Sequence, residues 1–157
     1  MLILSDAVSD MKLRVVVLIL YDSAKRFLLQ HRSKDARMMP DYWAFFGGQI
    51  DADETPEEAV QREAFEELGF QIKSPCFVRE QEFEENKTVG QMYVFIDFFD
   101  EDKSILQLQE GQGWGWFTKE EMAPLKMCQR DRDIISFVDG FLERIPGLFN
   151  HKKYEGR

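Results

Sequence analysis

GQIDADETPEEAVQREAFEELGF, residues 48–70, sets eight acidic side chains (Asp51, Asp53, Glu54, Glu57, Glu58, Glu63, Glu66 and Glu67) against a single base, Arg62. Pro56 to Leu68 reads as a short helix with both ends marked. Thr55 is the N-cap, Pro56 takes the first helical position, Glu58 closes a Thr-x-x-Glu capping box, and Gly69 supplies the left-handed residue past the end. At 100° per residue Ala59, Glu63, Glu66 and Glu67 share one face, and Val60, Ala64 and Leu68 share the neighbouring one. Carboxylates three and four residues apart repel, by about 0.2–0.5 kcal/mol per pair. A helix that needed only solubility would alternate its signs. This one concentrates negative charge, which a divalent cation would stabilise.

The spacing Gly48, five residues, Glu54, seven residues, Arg62-Glu63-Ala64, one residue, Glu66-Glu67, one residue, Gly69-Phe70 resembles the Nudix box with no departures. The resemblance implies an α/β fold, a Nudix-type α/β/α sandwich with a mixed sheet. It also implies a loop–helix–loop that binds Mg²⁺ or Mn²⁺ and hydrolyses a diphosphate joined to another moiety. In the family the Glu of the Arg-Glu pair and the following Glu-Glu pair hold metal, so Glu63, Glu66 and Glu67 inherit that role, with the Gly47 carbonyl as a further ligand. Oxygen-only donors select hard cations over zinc. Arg62 is expected to orient the carboxylates, and Glu54 to tie the loop to the helix; Gly48 and Gly69 support the box. An EF-hand reading of Asp51-x-Asp53 fails, because Pro56 stands where that loop needs glycine and Arg62 where it needs glutamate.

The rest of the chain bounds what such a site can serve. With 157 residues, 44% of them hydrophobic and 14 of them Phe, it is read as one domain with a substantial core, 1–157, in which 151–157 is a loose tail. The net charge of −9 argues against a nucleic-acid polymer as partner, and it would repel the small nucleotide-type substrate that the resemblance implies unless metal ions bridge the like charges. The first ten residues, MLILSDAVSD, have no basic segment of a signal peptide, and Val15 to Tyr21 is too short to span a bilayer. A cytoplasmic protein without membrane partners, monomer or homodimer, is therefore expected, with Cys76 and Cys128 as buried thiols.

Element order is mixed. Lys12 to Leu20 is apolar and β-branched, a strand buried on both faces, with Arg26 to His31 as its hairpin partner. Trp43 to Phe46 delivers the Gly47-Gly48 pair. After the box helix come strands over Cys76 to Glu85 and Gln91 to Phe99, joined by a turn over Asn86 to Gly90. Trp114 to Phe117 is a last short strand and Lys119 to Met122 a helical turn. Arg130 to Arg144 is an amphipathic helix with Ile134, Ile135, Val138, Phe141 and Leu142 inward, stopped by Pro146.

Outside the box, Glu110 in EGQGWGWF is similar to the Glu of the Glu-Gly-Gln-Pro-x-x-Trp loop of MutT-type enzymes, although Gly113 replaces the proline. That similarity implies a metal ligand or the general base that deprotonates the attacking water; Glu63 is the other candidate base. Arg32 stands where many members keep a phosphate-binding arginine, Phe45 where the base pocket is lined, and Asp131 where a polar residue reads a purine edge or caps the last helix. The expected substrate is a nucleoside triphosphate, with an oxidised purine among the options, cleaved to nucleoside monophosphate and pyrophosphate. A rival signal is Leu28-Leu29-Gln30-His31-Arg32-Ser33 with Arg37, Phe45 and Gly47-Gly48, similar to coenzyme A pyrophosphatases except at Asp41 and Phe46. Coenzyme A or a nucleotide sugar is thus the alternative substrate. A non-catalytic nucleotide-binding module is a minor alternative, since such modules usually lose a box acid. An isopentenyl-diphosphate isomerase would need a catalytic Cys and His that nothing near the box supplies.

Overall fold

A computed structural model describes residues 13–109 and 111–145. The apolar run after Lys12 forms β1 (Leu13–Tyr21), which turns back into β2 (Phe27–His31). Then come β3 (Trp43–Ala44), β4 (Phe46–Gln49), the box helix α1 (Pro56–Leu68), β5 (Cys76–Glu85), β6 (Thr88–Phe98), β7 (Gly113–Phe117) and α2 (Gln129–Arg144). Short 3₁₀ turns cover Lys103–Ile105 and Glu120–Met122. The sheet runs β3-β2-β1-β6-β5, with β4 also on β1 and β7 on β2. Among the described residues only β1 and β6 pair in parallel; the other pairings are antiparallel, so the sheet is mixed.

β1 shows why there are two helical layers. Its side chains alternate between faces, and both sets are apolar. Val16, Leu18 and Leu20 pack with Ala59, Val60, Ala64 and Leu68 of α1. Val17, Ile19 and Tyr21 pack with Ile134, Ile135, Val138 and Leu142 of α2. A strand apolar on both sides needs a cover on each. The result is the expected α/β/α sandwich. Among the described residues, no helix is long and apolar enough to cross a membrane.

Local differences from the sequence reading have local causes. Trp43 to Phe46 is not one strand: Phe45 interrupts it, β3 pairs with β2, and β4 moves across to β1. The turn after β5 is only Asn86-Lys87, both at positive φ (49° and 66°), and β6 already begins at Thr88. Asn tolerates the left-handed region that a two-residue hairpin demands. Gly90 belongs to the strand, opposite Leu13, where the Phe83 ring and the Leu13 carbonyl leave no room for a side chain. Phe141 is only partly buried, and Ala59, placed by phase on the acidic face, is fully buried at its edge. Cys76 and Cys128 are free and half-buried rather than buried. Pro146 and the 151–157 tail lie outside the described residues.

The registers gather several segments at one end of the sheet. β1 begins there opposite Gly90, β4 ends there with Gln49 opposite Val15, and β5 ends there with Glu85 opposite Thr88. β2 finishes and β7 starts there, His31 opposite Gly113. The 32–42 loop, the β5–β6 hairpin tip and the loop before β7 therefore share one rim.

Candidate functional site

The box helix is fastened at both ends by the residues its sequence supplies. The Glu58 amide donates to Thr55 Oγ1 (3.1 Å), while the Thr55 amide and hydroxyl donate to Glu58 Oε1 (3.3 and 2.9 Å). Gly69 adopts φ 63° and donates to the Phe65 carbonyl at 2.9 Å. These contacts hold the helix short and its face fixed.

Arg62 organises the loop before the helix. It grips Glu54 with two hydrogen bonds, Nε to Oε2 at 2.6 Å and Nη2 to Oε1 at 2.9 Å. Nη2 also donates to the Gln49 carbonyl of β4 (3.0 Å), and Nη1 donates to Glu63 Oε1 (2.9 Å) and Glu66 Oε2 (3.3 Å). One guanidinium thus ties strand, loop and helix together, which its planar fork of donors allows and a lysine would not. The Arg62 hydrogen bonds, seconded by the Asp51 amide, hold the Glu54 carboxyl down to about 2. Glu54 and Glu63, in turn, push the Arg62 guanidinium up.

The glycine pair seats this assembly. Gly47 sits at φ 149° opposite Val17, and a side chain there would run into the Val16 carbonyl. Gly48 lies under Glu63, whose carboxylate occupies the space that a Cβ would fill. Glu63 is thereby pressed against the strand end and largely covered, with a side chain 14% exposed, whereas Glu66 is 56% exposed. Glu67 is half-buried, and its backbone carbonyl accepts from the Gln109 amide at 3.2 Å.

Among the described residues, no three Asp, Glu, His or Cys side chains converge on one point as a metal would require. Glu63 and Glu66 turn to Arg62 instead, as mutually repelling carboxylates do when the nearest cation is a guanidinium. The donor set still fits a hard divalent ion: three carboxylates at i, i+3 and i+4 along one helix, all of them oxygen donors.

The remaining expectations separate. Glu110 lies outside the described residues. Its neighbours are anchored, Gln109 to Glu67 as above and Gln112 to the His31 carbonyl at 2.8 Å. Arg32 is half-buried, with Nε donating to the Met38 carbonyl (2.8 Å), so it braces the 32–42 loop. Phe45 is 6% exposed and packs in the core on the α2 side. Asp131 does not cap α2: Cys128 holds the N-cap position and Asp131 is the third helical residue, buried at 2% exposure. Burial pushes its carboxyl up, against the pull of Arg130. The sequence reading missed Arg130, Tyr42 and the Gln112–Asp41–His31 cluster, in which Gln112 Nε2 and His31 Nε2 each lie 2.9 Å from Asp41 Oδ1. Their only signal was position, beside Asp131 and in the polar loops.

Substituting Arg62→Lys should lower turnover roughly 10- to 100-fold, because outer partners that orient metal ligands have effects of that size. The same change should release the Glu54 carboxyl toward its ordinary 4.5. A depressed carboxyl contributes stability that is present above its unfolded value and lost as pH falls through the folded one. The melting-temperature gap between wild type and variant is therefore widest above pH 4.5 and closes toward about pH 2. A gap independent of pH across that window would show that the clamp does not hold Glu54.

The sequence matches the NUDIX domain family over residues 11–137. It is 25% identical over 132 residues to the nucleoside triphosphatase NudI of Enterobacter sp. (strain 638), spanning 78% of this chain and 94% of that one. A protein of the same name from Salmonella agona (strain SL483) is 26% identical over 123 residues, 72% and 87% of the two chains. Among solved structures, the MutT protein from Methanosarcina mazei Go1 superposes with a TM-score of 0.72 at 24% identity, covering 82% and 93%. The NUDIX domain of Shewanella oneidensis NrtR, in complex with ADP ribose, gives 0.71 at 16% identity, covering 83% and 88%. The structural likenesses speak for the fold. An unbroken box on a clamped helix and a family match over most of the sequence go further: this chain belongs to the Nudix family and is a pyrophosphohydrolase of it.

Proposed function

We propose that the chain hydrolyses nucleoside triphosphates to nucleoside monophosphate and pyrophosphate, with Mg²⁺ or Mn²⁺ held by Glu63, Glu66 and Glu67 and joined by Glu110 and the Gly47 carbonyl. The observation that carries the reading is the Arg62 clamp, which presents an intact set of box acids at the rim where the 32–42 loop and the loop before β7 meet. The relatives named as nucleoside triphosphatases support the substrate class. A divalent cation bound there would offset the phosphate charge and acidify a water molecule. The chain itself supplies a base and its orientation. Glu63, set between Gly48 and Arg62, is held in one place to take a proton, and Glu110 is the other carboxylate offered for that step. In this reading Arg32, whose Nε donates to the Met38 carbonyl, is the arginine that meets phosphate.

The test is a panel of nucleoside triphosphates, dinucleotides, nucleotide sugars and coenzyme A, each with Mg²⁺ and with Mn²⁺. Released phosphate is read with and without added inorganic pyrophosphatase, and products are separated by anion-exchange chromatography, which also detects cleavage of the substrates that yield phosphomonoesters and no pyrophosphate. Signal from triphosphates that needs the pyrophosphatase is the expected result. Turnover confined to coenzyme A or nucleotide sugars would move the substrate class, and release of single phosphates would overturn the bond assignment.

A further inference from the structure

Gln112, in the loop that leads into β7, reaches across the rim to the 32–42 loop. Its side-chain amide donates there twice, to the Arg32 carbonyl at 2.8 Å and to Asp41 Oδ1 at 2.9 Å. Its main-chain amide donates to the His31 carbonyl, also at 2.8 Å. One residue therefore bonds both to the end of β2 and to the far end of the loop that follows it.

Asp41 is the anchor of this bridge. It stands at φ 65°, a left-handed conformation that Asp and Asn tolerate better than most residues. Its Oδ1 receives Gln112 together with His31 Nε2, each at 2.9 Å. Gln112 first, and then His31, holds the Asp41 carboxyl below its ordinary value. The His31 ring is stacked on Trp43, 4.8 Å between centroids, which fixes the second donor.

Gln112 is exposed and belongs to neither apolar cluster, so these contacts are not a by-product of core packing. What they enclose is Arg32. Its amide donates to the Tyr42 carbonyl at 2.8 Å, its carbonyl receives Gln112, and its Nε donates to the Met38 carbonyl at 2.8 Å. An arginine ordered before its ligand arrives loses less conformational freedom on binding.

Resting on the nucleotide-hydrolase reading above, in which Arg32 meets phosphate, we propose that Gln112 is a positioning residue. By joining the loop before β7 to the Arg32 carbonyl and the Asp41 carboxylate, it sets Arg32 for the phosphate chain of the substrate.

Calorimetric titration with magnesium pyrophosphate reads phosphate binding without turnover, and KM and kcat for a nucleoside triphosphate read it with turnover. Arg32→Ala should weaken pyrophosphate binding and raise KM by about 10- to 100-fold. Gln112→Ala should act in the same direction by about five- to tenfold, with kcat changed less than about twofold, as expected when ground state and transition state lose the same interaction. In an Arg32→Ala background the Gln112→Ala step should shrink below about twofold, because its effect passes through that arginine. Asp41→Gly removes the acceptor at a φ that glycine adopts freely, and should match Gln112→Ala; either serves if the other does not fold. Asp41→Asn keeps an oxygen for Gln112 and tolerates the same φ, so it should stay within about twofold of wild type. A Gln112→Ala effect of equal size with and without Arg32, or one confined to the thermal melt, would assign Gln112 to fold support and overturn the proposal. Unchanged pyrophosphate binding by Arg32→Ala would overturn it too. The coupled pattern in a protein that cleaves no triphosphate would sink the proposed reaction and leave Gln112 in this role. Triphosphate cleavage without the coupling would do the reverse.

Discussion

Glu67→Gln is expected to abolish turnover, by roughly 10³-fold or more, while the protein keeps its fold. The substitution preserves the shape and the hydrogen-bonding capacity of the side chain and removes only the charge that a divalent cation needs. Glu67 is half-buried at the last turn of α1 and belongs to neither apolar cluster, so the packing of Ala64 and Leu68 against β1 is untouched. Its main-chain carbonyl continues to receive the Gln109 amide, so the loop before β7 keeps its anchor. The measurements are kcat at saturating Mg²⁺ and a thermal melt of the same preparation. An unchanged melt with lost turnover is the predicted pair. Near-native turnover would remove Glu67 from the metal site, and a collapsed melt would show that the charge serves the fold.

Gly47→Ala should act the other way, through stability first. The residue sits at φ 149°, where L-side chains are strained, and its Cβ would meet the Val16 carbonyl inside the β1–β4 ladder. The obstacle is backbone, which cannot rotate aside, so strain and overpacking add to an expected loss of about 2–5 kcal/mol. Because β4 carries Gly48 under Glu63 and Gln49 under Arg62, any shift that relieves the clash also moves the clamp. The variant should therefore lose activity even at temperatures where it remains folded. A urea melt gives the first quantity and activity at low temperature the second. A midpoint within error of wild type would mean that β4 does not need glycine at this position.

Much of this protein could be read along the chain because the controlling interactions are local. The box helix runs from Pro56 to Leu68 because Thr55, Glu58 and Gly69 form its caps within a few residues of each end, and capping depends on nearest neighbours. The two-sided burial of β1 followed from an unbroken apolar run, and two helical layers followed from that. What tertiary structure decided are relations between residues distant in sequence. Phe45 faces the core because the chain breaks there to exchange one pairing partner for another, and strand exchange leaves no periodic trace. Arg62 reaches Glu54 and the end of β4 together only because α1 lies across β1 beside that strand. Arg130 and Asp131 stand adjacent in a segment whose composition marks it only as a helix start. That Asp131 is fully buried while Arg130 reaches Glu85 and the Met39 sulfur depends on how the start of α2 packs beside the β5–β6 hairpin and the 32–42 loop. Local rules set which elements form; burial, which depends on everything that packs around a group, set which of their charges became enclosed.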